Sequence, residues 1–157
     1  MGSSKRRHLL PLAVLLTVFL AVTSCASFQR ARDQGTIRQL AELINSGRAQ
    51  SLAYISATPF LLDGEIIPLQ ADVAAFWAGI VKAGFRVENA ALESGVPVSA
   101  DSYTQFASTM EVKWFFSRYV KDGSRILDLS TSTGRHIRVL TKGDFFSGKI
   151  IGFKGPF

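Results

Sequence analysis

The pattern of hydrophobic and polar residues divides the chain near Cys25. A short basic segment, MGSSKRRH, precedes a mostly apolar run over residues 9–22, and small residues follow it. This run is shorter than the roughly 20 apolar residues that a membrane-spanning helix needs. A basic, an apolar and a small-residue region in this order are typical of a secretory signal peptide. The pattern therefore predicts a leader over residues 1–24 and a polar tether over residues 25–35.

Helical spacing of apolar residues follows the tether. Thr36 and Gln39 have the spacing of a capping box, which predicts that the first helix begins there. Gly47 ends this helix as a left-handed C-cap residue would, and a second short helix is predicted over residues 48–56. A third helix ends at Gly84, and its apolar face carries Val73, Phe76, Trp77 and Ile80.

Strand signals surround and follow the third helix. The segment FLLDGEIIP, residues 60–68, predicts a hairpin with a tight turn at Asp63–Gly64. Beyond Gly84 the apolar residues favour a period of two, which predicts strands over residues 85–96, 103–120, 125–142 and 147–155. The longest of these alternates through Phe106, Met110, Val112, Trp114 and Phe116. The third is either a strand pair or one long strand with a bend at Gly134, and the last begins with a turn at Ser147–Gly148.

This order of elements predicts an α+β fold in which three amino-terminal helices pack on a strongly curved antiparallel sheet. Residues 36–157 suffice for a single domain with its own core. All 12 acidic residues follow the leader, whereas 3 of the 18 Lys and Arg lie within it, so the remaining charge is 15 − 12 = +3. So small an excess, with no run of like charges, gives no reason to expect a nucleic-acid partner.

The residues around the single cysteine resemble the lipobox of bacterial lipoproteins. Val22-Thr23-Ser24-Cys25 comprises a branched apolar residue, two small residues and a cysteine. The resemblance implies cleavage before Cys25, a diacylglycerol thioether on its sulfur and an acylated amino group, palmitate for example, so that the chain is held on a membrane. Ala26 in place of Asp implies the outer membrane of a diderm cell, or otherwise the outer leaflet of the plasma membrane. An ordinary secreted protein and an uncleaved amino-terminal anchor are the alternatives.

Three stretches of the remaining chain resemble the nuclear transport factor 2-like superfamily, which includes ketosteroid isomerases and SnoaL-like cyclases. LAELINSGRAQSLAYI (residues 40–55) is similar to its first two helices, and FLLDGEIIPLQADVAAFWAGIV (residues 60–81) to its hairpin and third helix. SGKIIGF (residues 147–153) is similar to its closing strand. The resemblance implies a cone-shaped, cystatin-like domain with a pocket between sheet and helices, and often a dimer through the convex face of the sheet.

The same resemblance suggests catalytic positions. Asp63 falls where the isomerases carry a general base in the first hairpin, although Asp-Gly is also a common two-residue turn. Arg135 replaces an acid that donates a hydrogen bond to an oxyanion in the family, and His136 follows it. Arg135 could stabilise an anion or face solvent, and His136 could act with it or be structural. With no cysteine and no second histidine beside His136, neither a metal site nor a cofactor is expected.

Aromatic residues offer a second set of candidates, for ligand binding. Tyr54, Trp77, Trp114 and Phe116 could line an apolar pocket or could simply form the core. Phe115 and Tyr119 would then lie on the outer face of the sheet, which suggests a contact with a second copy or a partner protein.

Three functions remain open at this point. The first is a lipid-anchored binding or interaction module of the cell envelope that holds a small apolar ligand or a protein partner. The second is an enzyme of the isomerase, cyclase or dehydratase type acting on a small hydrophobic carbonyl compound. The third is a purely structural envelope lipoprotein. The orientation of Asp63 discriminates among them, because a Leu62–Glu65 pair would put Asp63 at the tip of the turn and away from any pocket.

Overall fold

A computed structural model describes residues 9–143 and 148–156, and it describes side chains from Ser27 onward. The basic head of the predicted leader, Ser147 of the turn expected before the last strand, and the side chain of Cys25 lie outside this description. The chain forms two units, Met1–Arg32 and Asp33–Phe157. Unit 1 contributes the first part of one helix, and the remaining elements belong to unit 2.

The described residues form four α-helices, one short 3-10 helix and six strands, which confirms the α+β class. In chain order the elements are α1 Leu9–Asn45, α2 Ala49–Ile55, β1 Ser56–Leu62, β2 Glu65–Ile67, α3 Gln70–Lys82, β3 Ala91–Pro97, the 3-10 helix Ser102–Gln105, α4 Met110–Tyr119, β4 Arg125–Ser130, β5 His136–Thr141 and β6 Ile150–Lys154.

The first helix ends as expected but begins elsewhere. Gly47 has a φ of +70°, and the backbone N–H of Arg48 donates to the carbonyl of Leu43 at 3.0 Å, so a left-handed residue closes α1. The expected start at Thr36 is wrong, because α1 passes through this residue without interruption. The preceding segment from Gln29 to Arg32 consists of good helix formers, and it extends the helix backward through the stretch predicted as a tether.

The six strands form one open sheet in the order β2-β1-β6-β5-β4-β3. The hairpin, the β3–β4–β5 meander and the β5–β6 pair are antiparallel, but β1 and β6 run parallel. The expectation of a wholly antiparallel sheet is therefore wrong. The difference arises because the last strand inserts between the first hairpin and the meander, and β1 and β6 then point the same way.

One face of the sheet packs against the first three helices. Trp77 and Val73 of α3 and Ile44 of α1 are buried against Phe60 of β1 and Phe153 of β6. The apolar face expected for the third helix is confirmed, since Phe76 and Ile80 also pack against this core. This cluster is the main hydrophobic core of unit 2.

The other face carries an element that the strand prediction for residues 103–120 missed. This segment is the 3-10 helix followed by α4, so the predicted strand is wrong and the expected number of three helices is too small. Val112, Phe115 and Phe116 recur at three- and four-residue spacing and are buried, which is the pattern of an amphipathic helix. The Thr109 hydroxyl caps the helix by accepting a hydrogen bond from Val112 N at 3.3 Å.

The buried side of α4 covers a second core on the sheet, formed by Leu61, Ile126, Leu140 and Ile151. Phe115, expected to contact a second copy or a partner from the outer face of the sheet, is instead fully buried on the inner side of α4, and Tyr119 packs partly against the same core. Helices thus lie on both faces of the sheet. Among the described residues, no helix combines the length and the apolar character that crossing a membrane would require.

Candidate functional site

Asp63 lies at the tip of the first hairpin. Leu62 pairs with Glu65, so Asp63 and Gly64 form the two-residue turn, and Asp63 adopts a φ of +49°. Its carboxylate is exposed and accepts a hydrogen bond from the backbone N–H of Gly155 at 2.8 Å. This is the arrangement of a turn residue, and it gives the proton-transfer role no support.

Substitutions at Asp63 separate these two roles through stability. We expect Asp63→Asn to be nearly neutral, because asparagine tolerates a positive φ and keeps an acceptor for the N–H of Gly155. Asp63→Ala should lower the free energy of unfolding by about 1 kcal/mol, since it loses the hydrogen bond and strains the turn. Urea unfolding of the two variants measures the difference, and equal midpoints would contradict the turn role.

Arg135 and His136 lie at the start of β5 on the meander side of the sheet. The backbone of Arg135 closes a turn with Thr131, and its side chain is exposed. His136 Nδ1 lies 3.1 Å from Glu93 Oε2, and both side chains are more than 40% exposed, at 45% and 42%. Asp63 bonds to Gly155 instead, so these hydrogen bonds do not join the three catalytic candidates into one site.

The four aromatic candidates are also divided. Trp77 is fully buried on one face of the sheet, whereas Phe116, 7% exposed, belongs to the core on the other face. Trp114 and Tyr54 are surface residues with exposures of 51% and 77%. The sheet therefore separates the two buried members, and the set does not line one pocket.

Aromatic rings fill the space between α3 and the sheet, where the family resemblance implies a pocket. The rings of Trp77 and Phe153 meet edge-on with centroids 5.3 Å apart, and Phe76 lies 4.7 Å from Trp77. Trp77 Nε1 donates to Ser56 Oγ at 2.9 Å, and this hydroxyl donates to the carbonyl of Leu52 at 2.8 Å. The polar edge of the indole is thus satisfied inside the core, as a packing role requires.

A polar network on the second face of the sheet was not anticipated as a group. Arg138 Nε donates to Asp128 Oδ1 at 2.7 Å, and the hydroxyl of Ser94 donates to Asp128 Oδ2 at 3.1 Å. Arg138 and Lys154 both donate to the carbonyl of Gln105, at 2.9 and 3.0 Å. The network fastens the end of the 3-10 helix to β5 and β6.

A buried ion pair joins the start of unit 2 to the sheet. Arg125 Nη2 lies 2.8 Å from Asp33 Oδ2, and Arg125 Nε donates to both carboxylate oxygens at 3.0 Å. The side chains are 18% and 6% exposed. Gly95 makes room for them, since a Cβ there would clash with Asp33 Oδ2, and its carbonyl accepts a hydrogen bond from Arg125 Nη2 at 2.5 Å. Asp33 lies in the segment that was predicted to be a tether, so this contact was not expected.

The remaining candidate is the exposed side of α4, which sequence reasoning missed because it assigned the segment to a strand. Met110 and Trp114 are exposed there at 75% and 51%. Lys113 and Arg118 lie beside them, and Lys121 follows the helix. Helical periodicity applied to residues 110–119 could have identified this face, because Val112, Phe115 and Phe116 occupy the opposite side.

No protein-family model matches this chain, and no match was found among curated proteins either. Within residues 9–143 and 148–156, no three His, Cys, Asp or Glu side chains cluster in a way that could hold a metal ion. Residue chemistry and geometry therefore carry the functional argument.

Proposed function

We propose that the protein is a lipid-anchored interaction module of the bacterial cell envelope that acts through its outer surface. The lipobox-like segment Val22–Cys25 supports the anchor, with cleavage before Cys25 and acylation of its sulfur and amino group. The observation that supports action through the outer surface is the filled interior around Trp77. Where the resemblance implies a ligand pocket, interlocked rings occupy the space, and the exposed aromatic residues lie outside.

We further propose that unit 2 is a variant of the nuclear transport factor 2-like cone. In support, two helices with a glycine break precede a hairpin and a third helix, and the closing strand β6 lies beside the hairpin strand β1. The addition of α4 is a departure from the family pattern. It covers part of a sheet face that the resemblance would leave for a dimer contact.

The geometry gives less support to the two alternatives. An isomerase-like enzyme would need a base directed into an apolar pocket, and Asp63 is an exposed turn residue with a backbone partner. A purely structural lipoprotein would need no specialised surface, whereas α4 exposes a tryptophan and a methionine beside basic residues. Exposed groups of this kind are typical of contact surfaces.

Replacement of Cys25 by serine tests the anchor. Cells grown with an alkyne-bearing fatty acid should incorporate the label into the wild-type protein and not into Cys25→Ser, because an oxygen at this position cannot form the thioether. Since lipidation precedes cleavage in bacterial lipoproteins, the variant should also keep residues 1–24, which raises its mass. In-gel fluorescence and intact-protein mass spectrometry measure the two effects.

Ser27→Ala is the matched control, because it changes a small residue close to Cys25 and should leave both label and cleavage unchanged. Each alternative gives a distinct outcome. A wild-type chain that is cleaved but unlabelled would be an ordinary secreted protein. A wild-type chain that keeps residues 1–24 would be anchored by its uncleaved amino terminus. Either result overturns the lipid anchor.

A further inference from the structure

The exposed side of α4 combines apolar and cationic groups in one surface. We define the outer face of α4 as Met110, Lys113, Trp114, Ser117 and Arg118 of the helix, together with Lys121, which follows it. Met110, Trp114 and Arg118 are four residues apart, so successive turns of the helix place them in one row. The apolar members are among the most exposed large hydrophobic side chains of the described residues.

Core packing explains the inner side of α4 but leaves its outer face without a role. Val112, Phe115 and Phe116 bury the helix on the sheet. A solvent-facing helix position would ordinarily carry a charged or polar residue, because exposing a tryptophan to water gains nothing for folding. Met110 and Trp114 therefore indicate a surface that another phase or molecule covers.

Neighbouring side chains flank the indole of Trp114. The guanidinium carbon of Arg118 lies 5.7 Å from the centre of its ring, and Tyr119 meets it edge-on at 5.6 Å. Lys113 lies 5.8 Å from the ring centre of Tyr103 on the adjacent 3-10 helix. Each cation on this helix is thus placed next to an aromatic ring, and the outer face presents charge and apolar surface together.

The charge of the outer face of α4 indicates which kind of partner it binds. Residues 110–121 contain three cations, Lys113, Arg118 and Lys121, and one carboxylate, Glu111, which lies in the first turn; Asp122 follows. An excess of positive charge favours a surface of negative phosphates. Trp side chains prefer the boundary between water and lipid, and Lys and Arg near them bind anionic headgroups.

We propose that the outer face of α4 docks on the anionic headgroup region of a phospholipid bilayer, with Trp114 and Met110 entering the interface. The proposal rests on the proposed function in one respect, because the anchor at Cys25 would supply the bilayer to which α4 binds. It adds a second point of membrane contact, which would fix one orientation of unit 2 on the surface.

The two tryptophans of the chain make this contact measurable. Trp77 is fully buried, so it serves as an internal reference, whereas Trp114 is half exposed. The lipidated protein, residues 25–157, is reconstituted into vesicles of phosphatidylcholine alone or of phosphatidylcholine and phosphatidylglycerol in equal parts, with or without brominated acyl chains. In the anionic vesicles we expect a blue shift of the emission and quenching by bromine. Trp114→Phe should show neither effect.

Charge variants test the role of the cations. Lys113→Gln combined with Arg118→Gln should reduce the ratio of docked to undocked protein roughly 20- to 30-fold. The reason is that loss of one cation near an anionic surface lowers this ratio about fivefold. Lys82→Gln combined with Arg86→Gln is the matched control, because it removes the same charge near the end of α3 on the opposite face of the sheet. This control should be quenched like the wild type.

Three outcomes would overturn the proposal. Equal quenching in both kinds of vesicle would exclude recognition of anionic headgroups. Absence of quenching in both would leave the outer face to a protein partner. A blue shift without vesicles that grows with protein concentration would assign it to a second copy of the chain. Flotation of the protein with the vesicles reports the anchor separately, so failure of the anchor is distinguishable from failure of α4 docking.

Discussion

Trp77→Ala is expected to lower the free energy of unfolding of unit 2 by about 3–5 kcal/mol, the usual cost of removing a buried aromatic side chain. The indole contacts the rings of Phe60, Phe76 and Phe153, and truncation would leave a cavity that these rigid neighbours cannot fill. Ser56 Oγ would also lose its donor, although it would still donate to Leu52. Urea unfolding followed by circular dichroism measures the loss.

Two further variants serve as comparisons for Trp77→Ala. Trp77→Phe keeps an aromatic ring in the core and should cost about half as much, since the cavity is smaller. Tyr54→Ala removes a ring that is 77% exposed and should change stability by less than about 1 kcal/mol. If Trp77→Ala proved as mild as Tyr54→Ala, the ring cluster would not be the core, and a ligand pocket at this position would have to be reconsidered.

Asp33→Ala should have the second-largest effect, a loss of about 3 kcal/mol, at the lower end of the range for breaking a buried ion pair. The substitution leaves the guanidinium of Arg125, whose side chain is only 18% exposed, without its carboxylate. The hydrogen bond to the carbonyl of Gly95 would remain and limit the loss. Thermal or urea unfolding of the full chain measures this difference.

Removing both partners provides the control. Asp33→Leu combined with Arg125→Met should be more stable than Asp33→Ala alone, because no unpaired charge is then buried. Glu93→Ala breaks the exposed contact with His136 and should cost less than about 1 kcal/mol. A wild-type-like stability of Asp33→Ala would mean that unit 2 does not depend on this pair and that the folded part begins later in the chain.

Much of the architecture followed from local signals. Gly47 and Gly84 end helices with positive φ, the Asp63–Gly64 turn closes a hairpin where one was predicted, and the spacing of Val73 and Trp77 marked the buried side of α3. Each of these features depends on residues a few positions apart, so periodicity and turn chemistry suffice to predict it.

The errors arose where distant residues decide the structure. In residues 103–120 the apolar positions Val112, Trp114 and Phe116 alternate, but Phe115 interrupts the alternation and fits a helix better. The segment forms a helix because the inner side of α4 packs on the second core of the sheet. No local pattern in the sequence predicts this packing. The parallel pairing of β1 with β6 likewise joins strands far apart in the chain.

The candidate site was less predictable than the fold. Asp63 was identified as a turn or a base, and only the pairing of Leu62 with Glu65 assigned it to the tip. Trp114 was named as a candidate, but its exposure depends on the helical conformation of α4, which sequence reasoning missed. The ion pair of Asp33 with Arg125 could be identified only from the fold, because no sequence pattern near either residue predicts that they meet.

Because β6 lies between β1 and β5, the sheet cannot be completed until the strand nearest the carboxyl terminus is in place. A chain exported amino-terminus first, as proposed above, would deliver Ile150–Lys154 after the other strands that the structure describes. Until then, the hairpin and the β3–β4–β5 meander would each present an unpaired edge, a state prone to pairing with other chains. Joining strands so far apart in sequence is also slow. The export proposed above would therefore require that a chaperone protects these two edges until β6 arrives, and this requirement is separate from the stability of the finished sheet.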